Sequence, residues 1–300
     1  MLKSNIIKES ATVAGFDLVG ITFPREFDSN RTAYLKWLES GSAENIAYMQ
    51  KYLDQRFNPA NLLDNTRSIV VCALNYKNIY SINTNENREP KIASYALNRD
   101  YHKIIRKQLK ELLKSLQSID PSIKGRACVD TAPLLEKQLA VEAGLGWIGR
   151  QSLLITPQFG SFVHIGVLLL TTEVDAFDSP LEHVGCGECR RCIDACPNGA
   201  ISETRTIDSR RCISALTVEC ENPEQQSLHD WIFGCDECQS ICPYNRNTPL
   251  SRNPAIQPIF APISAKKWRT MSSEEFTERL GSTPLKRGGL ARLQRNCKEE

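Results

Sequence analysis

Nine of the twelve cysteines, at positions 186, 189, 192, 196, 212, 220, 235, 238 and 242, fall in one stretch of this 300-residue chain. The first four are spaced Cys186-x2-Cys189-x2-Cys192-x3-Cys196 and are followed by Pro197. This is the run by which bacterial ferredoxins give three thiolates to one [4Fe–4S] cube and send the fourth to a second cube. A second run, Cys235-x2-Cys238-x3-Cys242-Pro243, has the same ending, but Ile232 stands where its first cysteine would be. Each cube needs four thiolates. The crossed pattern gives Cys186, Cys189, Cys192 and Cys242 to one cube and Cys196, Cys235 and Cys238 to the other, whose fourth ligand is Cys212 or Cys220. Zinc knuckles also use Cys-x2-Cys pairs, yet tetrahedral zinc does not call for the crossed fourth cysteine and its proline. Cys72, Cys128 and Cys297 lie outside both runs and read as buried or incidental thiols.

Two cubes form a one-electron relay, and the long stretch before them is more than a ferredoxin needs, so it is expected to hold the electron acceptor or the substrate. Gly144-Leu145-Gly146-Trp147-Ile148-Gly149 spells the dinucleotide fingerprint. That motif must follow a strand and open a helix, whereas Pro133 to Ala143 has helical spacing, so a helix stop and a tight turn are expected instead. The histidines at 102, 164, 183 and 229 show no paired metal spacing. Asp100-Tyr101-His102 begins like the Asp-x-His-x-x-Gly box that ligates cobalt in some cobalamin enzymes, but Ile105 replaces its glycine, which disfavours cobalt ligation by His102. Asp130 has two readings. It caps a helix opened by Pro133, or it is a catalytic carboxyl at the end of a strand, where open sheets keep their ligands.

The elements that must position these groups follow from periodicity. Helical spacing covers 2–15, 31–41 and about Asp100 to Ile119, where Ile105, Leu109, Leu112, Leu113 and Leu116 recur at three and four with lysines opposite. Buried strands are expected at Asp17–Thr22, Ser68–Tyr76, Arg126–Asp130 and Val163–Thr171, and a helix opens at Pro133. The pattern predicts an α/β (α+β) domain over 1–175, a linker near Asp175 to Gly185, a two-cluster ferredoxin-type domain over 176–247 and a short, basic, helical tail over 248–300. The composition, 41% apolar and 24% charged, is that of a globular chain. No apolar run approaches the roughly 20 residues of a membrane helix, and Lys3, Lys8 and Glu9 interrupt any secretory core, so a cytoplasmic protein is expected. A net charge of +2 names no polyanionic partner. Locally, Lys286, Arg287, Arg292, Arg295 and Lys298 follow Pro284 with no acid among them, a run that by itself reads as a solvated basic face and, by its position directly after the cluster domain, as a phosphate contact.

Arg56-x-x-Pro59, Ser94-Tyr95 with Arg99-Asp100-Tyr101-His102, Asp130-Thr131-Ala132-Pro133, Ala143 through Gly149 and both cysteine runs together resemble the epoxyqueuosine reductase family, over about residues 10–296. The resemblance implies a cobalamin-binding domain related to reductive dehalogenases, followed by a two-cubane ferredoxin domain. It implies two-electron reduction of the epoxide of epoxyqueuosine at the tRNA wobble position, by cob(I)alamin fed from the clusters. Asp130 falls on the family's general acid, for which a pKa raised by burial would suit. Cys212, within Arg211-Cys212-Ile213-Ser214-x-Leu216-Thr217, falls on the distant ligand of the second cube, leaving Cys220 spare. Arg56, Gln151, Ser152, Leu154, Thr156 and Ser161 would contact the corrin. The partners implied are the tRNA anticodon stem-loop, gripped at Lys286, Arg287, Arg292 and Arg295, and an external one-electron donor; a monomer is expected. Two departures stand out: no long helical-repeat extension follows Lys286-Arg287, and Ala215 replaces an aromatic common before Leu-Thr. A small-molecule reductive dehalogenase would share the cofactors without binding tRNA, and a plain electron carrier would bind no corrin.

Overall fold

Strand β2 (Ser68–Asn75) is buried at every residue, because helices cover both faces of the sheet in which it is central. The computed structural model describes residues 1–82, 90–223 and 226–297. Before β2 come α1 (Ser4–Val13), β1 (Leu18–Thr22), α2 (Asp28–Glu39) and α3 (Leu53–Phe57). After it come β3 (Lys91–Ile92), α4 (Tyr101–Ile119), β4 (Gly125–Cys128), α5 (Glu136–Glu142), the short pair β5 (Trp147–Ile148) and β6 (Leu154–Ile155), and β7 (Val163–Leu170). The main sheet has the order β1-β2-β7-β4, and every pair in it is antiparallel, so the domain is of the α+β kind rather than a parallel crossover fold. Alternation along β2 sends Val70, Cys72 and Leu74 to a core shared with α1 and α4, and Ile69, Val71 and Ala73 to a second core shared with α5, Phe27 and Phe57.

Helix α4 shows why these residues form this element. Ile105, Leu109, Leu112 and Leu116 are fully buried on one face, while Lys103, Lys107, Lys110 and Lys114 stay exposed on the other. Burying each leucine contributes about 1.5–3 kcal/mol. Asp100 caps the helix by accepting the His102 amide at 3.0 Å, and Pro121 follows its end.

Two expectations need correction. The helix expected from Pro133 starts at Glu136, because Asp130 to Leu135 are spent in bends. Asp130 caps nothing: Leu135 precedes the helix and makes no side-chain cap. The cysteine-rich part carries α6 (Arg191–Asp194), α7 (Ile213–Val218), β8 (Trp231–Phe233) and α8 (Glu237–Ser240). Beyond it, α9 (Ala265–Thr270), α10 (Ser273–Leu280) and α11 (Leu285–Asn296) bury Trp268, Leu280, Leu285 and Leu293 completely. These side chains pack in one core with Val218, Ile232 and Phe233 of the cluster region and with Ala96. Strand β3 pairs in parallel with β8, tying the first domain to the same core. Lys77, just past β2, is buried at 3% exposure, and its Nζ donates to the carbonyls of Asn245 and Thr248, both at 2.7 Å.

Candidate active site

A cleft of about 830 Å³ opens between the sheet domain and the cluster region, lined among others by Tyr101, His102, Asp130, Cys212, Glu219 and Arg287. Asp130 follows β4 at φ +49°, and the Thr131 amide closes a three-residue turn onto the Val129 carbonyl at 2.5 Å. Its side chain, 45% exposed to the cleft, accepts from His102, with Oδ2 3.1 Å from Nε2. On the other side His102 Nδ1 lies 2.8 Å from Asp100 Oδ1, so one imidazole bridges two carboxyls. The ring is held in a column: His102 stacks on Tyr101, Tyr101 on His164 at 3.9 Å, and His164 on Tyr76 at 4.3 Å.

The charges follow from this geometry. Burial works against a charged His102, but Asp100 and Asp130 outweigh it and lift the ring to about 9. Enclosure by the protein pushes Asp130 up, yet its bond to His102 and the charges of His102 and Arg287 prevail and hold it below the ordinary carboxylate range. The raised carboxyl expected at 130 is therefore reversed by its neighbour. Glu136, whose Oε1 accepts the Asp130 amide at 2.7 Å, takes the opposite shift: burial and the Asp130 charge push it up to about 8. Burial and the charge of His102 press His164 down to about 3, so its ring is neutral.

The cysteines form two electrostatic groups. Cys192 feels Cys186, Cys242 and Cys189, whereas Cys235 feels Cys212, and Cys212 feels Cys196. Cys238 feels Cys235 and Cys212 and also Cys192 of the other group, so the two groups adjoin. Burial pushes the Cys192 thiol up to about 11 and raises Cys212, Cys238 and Cys242 as well. Thiolates form in such a place when a cationic centre neutralises them. Amides of Ser214 and Ala215 point at the Cys212 sulfur and the Ala200 amide at Cys196, the kind of bond that tunes a cluster's potential. The Cys220 carbonyl accepts from Arg295. Cys72, Cys128 and Cys297 are buried in the three apolar cores.

A second cavity of about 170 Å³ shares Tyr95 and Tyr101 with the cleft and is lined by Lys137, Leu154, Ser161 and His164 as well. Of the residues singled out for a corrin, Leu154 and Ser161 stand in this wall. Gln151 is buried with Nε2 unpartnered. Thr156 is fully buried and closes the turn to Gly160, its hydroxyl donating to that carbonyl at 3.2 Å. Ser152 binds the Arg205 carbonyl through its hydroxyl and accepts Lys137 Nζ on its own carbonyl. Arg56 lies against Tyr34, lining neither cavity. Gly144 and Leu145 close a helix stop: the Gly144 amide donates to Val141 and that of Leu145 to Ala140 at 2.9 Å, with Gly144 at φ +73°. The glycine motif is thus a turn, and a side chain at Gly146 would strike the Ile155 carbonyl at 2.0 Å.

The basic run divides. Lys286 and Arg287 line the cleft, and Arg287 pairs with Glu219 at 2.6 Å. Arg292 donates to the Val218 carbonyl, and Arg295 to those of Cys220 and Glu221. Lys298 lies outside the described residues. Sequence reasoning weighed His102 only as a cobalt ligand and passed over Glu136; the motif flagged the first, and nothing in the spacing flagged the second.

Fold and site together define an iron–sulfur oxidoreductase with an acid-bearing cleft beside its clusters. Residues 185–245 match the family model "4Fe-4S double cluster binding domain", and residues 56–131 match "Epoxyqueuosine reductase QueG, DUF1730". The chain is 36% identical to the epoxyqueuosine reductase of Cyclobacterium marinum over 297 residues, 98% of this chain and 95% of that protein. It belongs to the epoxyqueuosine reductase family. The solved structure of the Bacillus subtilis reductase, with its catalytic aspartate loop swung out of the active site, superposes at a TM-score of 0.88 with 26% identity, covering 98% of this chain and 79% of that one. An epoxyqueuosine reductase solved with an epoxyqueuosine-modified tRNA-Tyr stem loop superposes at 0.82 with 26% identity and the same coverage. A reductive dehalogenase shares the fold at 0.50 and 17% identity, over 81% of this chain and 32% of its own. Among the described residues no helix is long and apolar enough to cross a membrane.

Proposed function

We propose that the cleft is where this reductase takes the oxygen from the epoxide of epoxyqueuosine in tRNA, with Asp130 and His102 handling the proton. The observation that carries the reading is that the Asp100–His102–Asp130 chain and Cys212 line one cleft. Removing the oxygen as water leaves an alkene and takes two electrons and two protons. Each cube passes one electron at a time, and the ligand sets proposed are Cys186, Cys189, Cys192 and Cys242 for one and Cys196, Cys212, Cys235 and Cys238 for the other.

Cobalamin is the cofactor proposed for the cleft together with the cavity that adjoins it, which by itself, at about 170 Å³, would take only an edge of a corrin; when bound, it would supply a cobalt centre able to deliver both electrons to the epoxide. Gln151, Leu154 and Ser161 would hold it. The unpartnered buried amide of Gln151 suits the amide rim of a corrin, and in the cavity wall the Nε2 of neutral His164 is a second buried polar atom without a partner. As a carbon–oxygen bond of the epoxide breaks, the His102 imidazolium passes its proton through the Asp130 carboxylate to the oxygen, and a second proton, taken up from solvent along the same chain, lets that oxygen leave as water. This ordering suits a carboxyl held low by a protonated imidazole better than a carboxyl acid standing alone. Lys286 and Arg287 at the cleft wall would meet phosphates of the anticodon stem-loop, whose modified base must leave its stack to enter. A loop able to swing, as in the Bacillus subtilis structure, would admit that base. In this division of labour, residues 1–175 hold substrate and corrin, 176–247 supply electrons, and 248–300 close the cleft.

Replacing Asp130 by Asn tests the reading. Both clusters should remain, and turnover of epoxyqueuosine-containing stem-loop should fall by about 10²-fold or more, as for a removed proton donor. Undiminished turnover would remove Asp130 from the mechanism.

A further inference from the structure

We propose that Glu136 is a positioning residue whose carboxyl, by accepting the Asp130 amide, latches the acid's loop into the cleft. The inference rests on the reading of Asp130 as proton donor and adds what keeps it in place.

The loop needs a latch because its own backbone supplies almost none. Between β4 and α5 its backbone–backbone hydrogen bonds are two tight turns, Thr131 to Val129 at 2.5 Å and Leu134 to Ala132 at 2.8 Å, and the Thr131 hydroxyl adds a longer bond to the same Val129 carbonyl at 3.2 Å. The first is centred on Asp130 at positive φ, a rare and strained form of three-residue turn. Such a conformation persists only where its surroundings over-determine it. Two ties do so here. His102 holds the Asp130 side chain at 3.1 Å, and Glu136 holds its amide at 2.7 Å. The second tie is the rigid one, since Glu136 opens a helix whose Leu139 and Ala140 are fully buried against the sheet. Glu136 lines neither cavity, so its influence on the reaction runs through the Asp130 backbone.

The latch works as an acceptor and not as a charge. Burial and the neighbouring Asp130 carboxylate push Glu136 up to about 8, so near neutral pH it is largely protonated and still offers its carbonyl oxygen. Glutamine presents the same oxygen, whereas alanine presents nothing.

The test measures backbone hydrogen exchange over residues 129–135 in the cluster-loaded protein, with β7 as the internal reference for an intact fold. In Glu136→Ala the loop should exchange about tenfold faster or more, while Glu136→Gln should stay within about twofold of the parent. Single-turnover reduction should fall about tenfold in the alanine variant at unchanged stem-loop affinity and recover in Glu136→Gln. Should Glu136→Ala deprotect β7, Glu136→Asp, whose carboxyl falls one methylene short, takes its place with the same expectation. Loop exchange unchanged on loss of the carboxyl, or equally fast with glutamine, would overturn the latch. Normal turnover in Asp130→Asn would instead strike the proton-donor reading and leave the exchange result standing.

Discussion

His102 was visible in the sequence as part of a polar triplet, but its partners were not, because Asp130 reaches it only through a turn at positive φ. The pair has a pH signature. With the imidazole lifted from 6.5 to about 9, its charge-assisted bond to Asp130 is fully formed below about pH 6.5 and is lost as pH rises through about 9. Single-turnover reduction should therefore decline across that upper window, and His102→Gln should be slow throughout and lack the decline; a decline that survives the substitution would assign it to another group. The cluster cysteines were legible for a simple reason: a cube demands thiolates at fixed spacing, so the demand is written along the chain. Glu136 was not, since its bond is to a backbone amide whose orientation no periodicity reports.

At the scale of elements, β2, β7 and α4 were legible within a residue or two because burial on both faces, or on one helical face, dictates their composition. The start of α5 was misplaced because Pro133 favours a first helical turn but cannot impose one on a loop bound elsewhere. The basic run of α11 illustrates the same limit. Its residues read as one cationic face, yet the core turns Arg292 and Arg295 toward the carbonyls that end α7 and leaves Lys286 and Arg287 on the cleft. Two variants should separate these roles. Lys286→Ala should flatten the salt dependence of stem-loop binding by about one unit without altering stability. Arg292→Ala should lower unfolding stability by about 1–3 kcal/mol in chemical denaturation with little change in that slope, since it leaves the Val218 carbonyl without its donor. A shift of slope in Arg292→Ala and none in Lys286→Ala would reverse the assignment.

For the whole molecule, the order of domain, cluster region and helical end followed from composition, but their shared core did not, because contacts such as Tyr95 with Phe233 join residues far apart in the chain. Reconstituted protein should contain about eight iron and eight sulfide per chain. Cys212→Ala should lose about half of each and Cys220→Ala should keep all; iron analysis giving the opposite ranking would move the fourth ligand to Cys220. Lys77 makes the sheet domain and the cluster region depend on one turn. Its ammonium is solvated by the carbonyls of Asn245 and Thr248, just beyond Cys242, and the Asn245 side chain in turn holds the Ser161 amide and the Gln239 carbonyl. Opening that turn would strand a buried cation at a cost of several kcal/mol. The two regions should therefore melt together, in one cooperative transition.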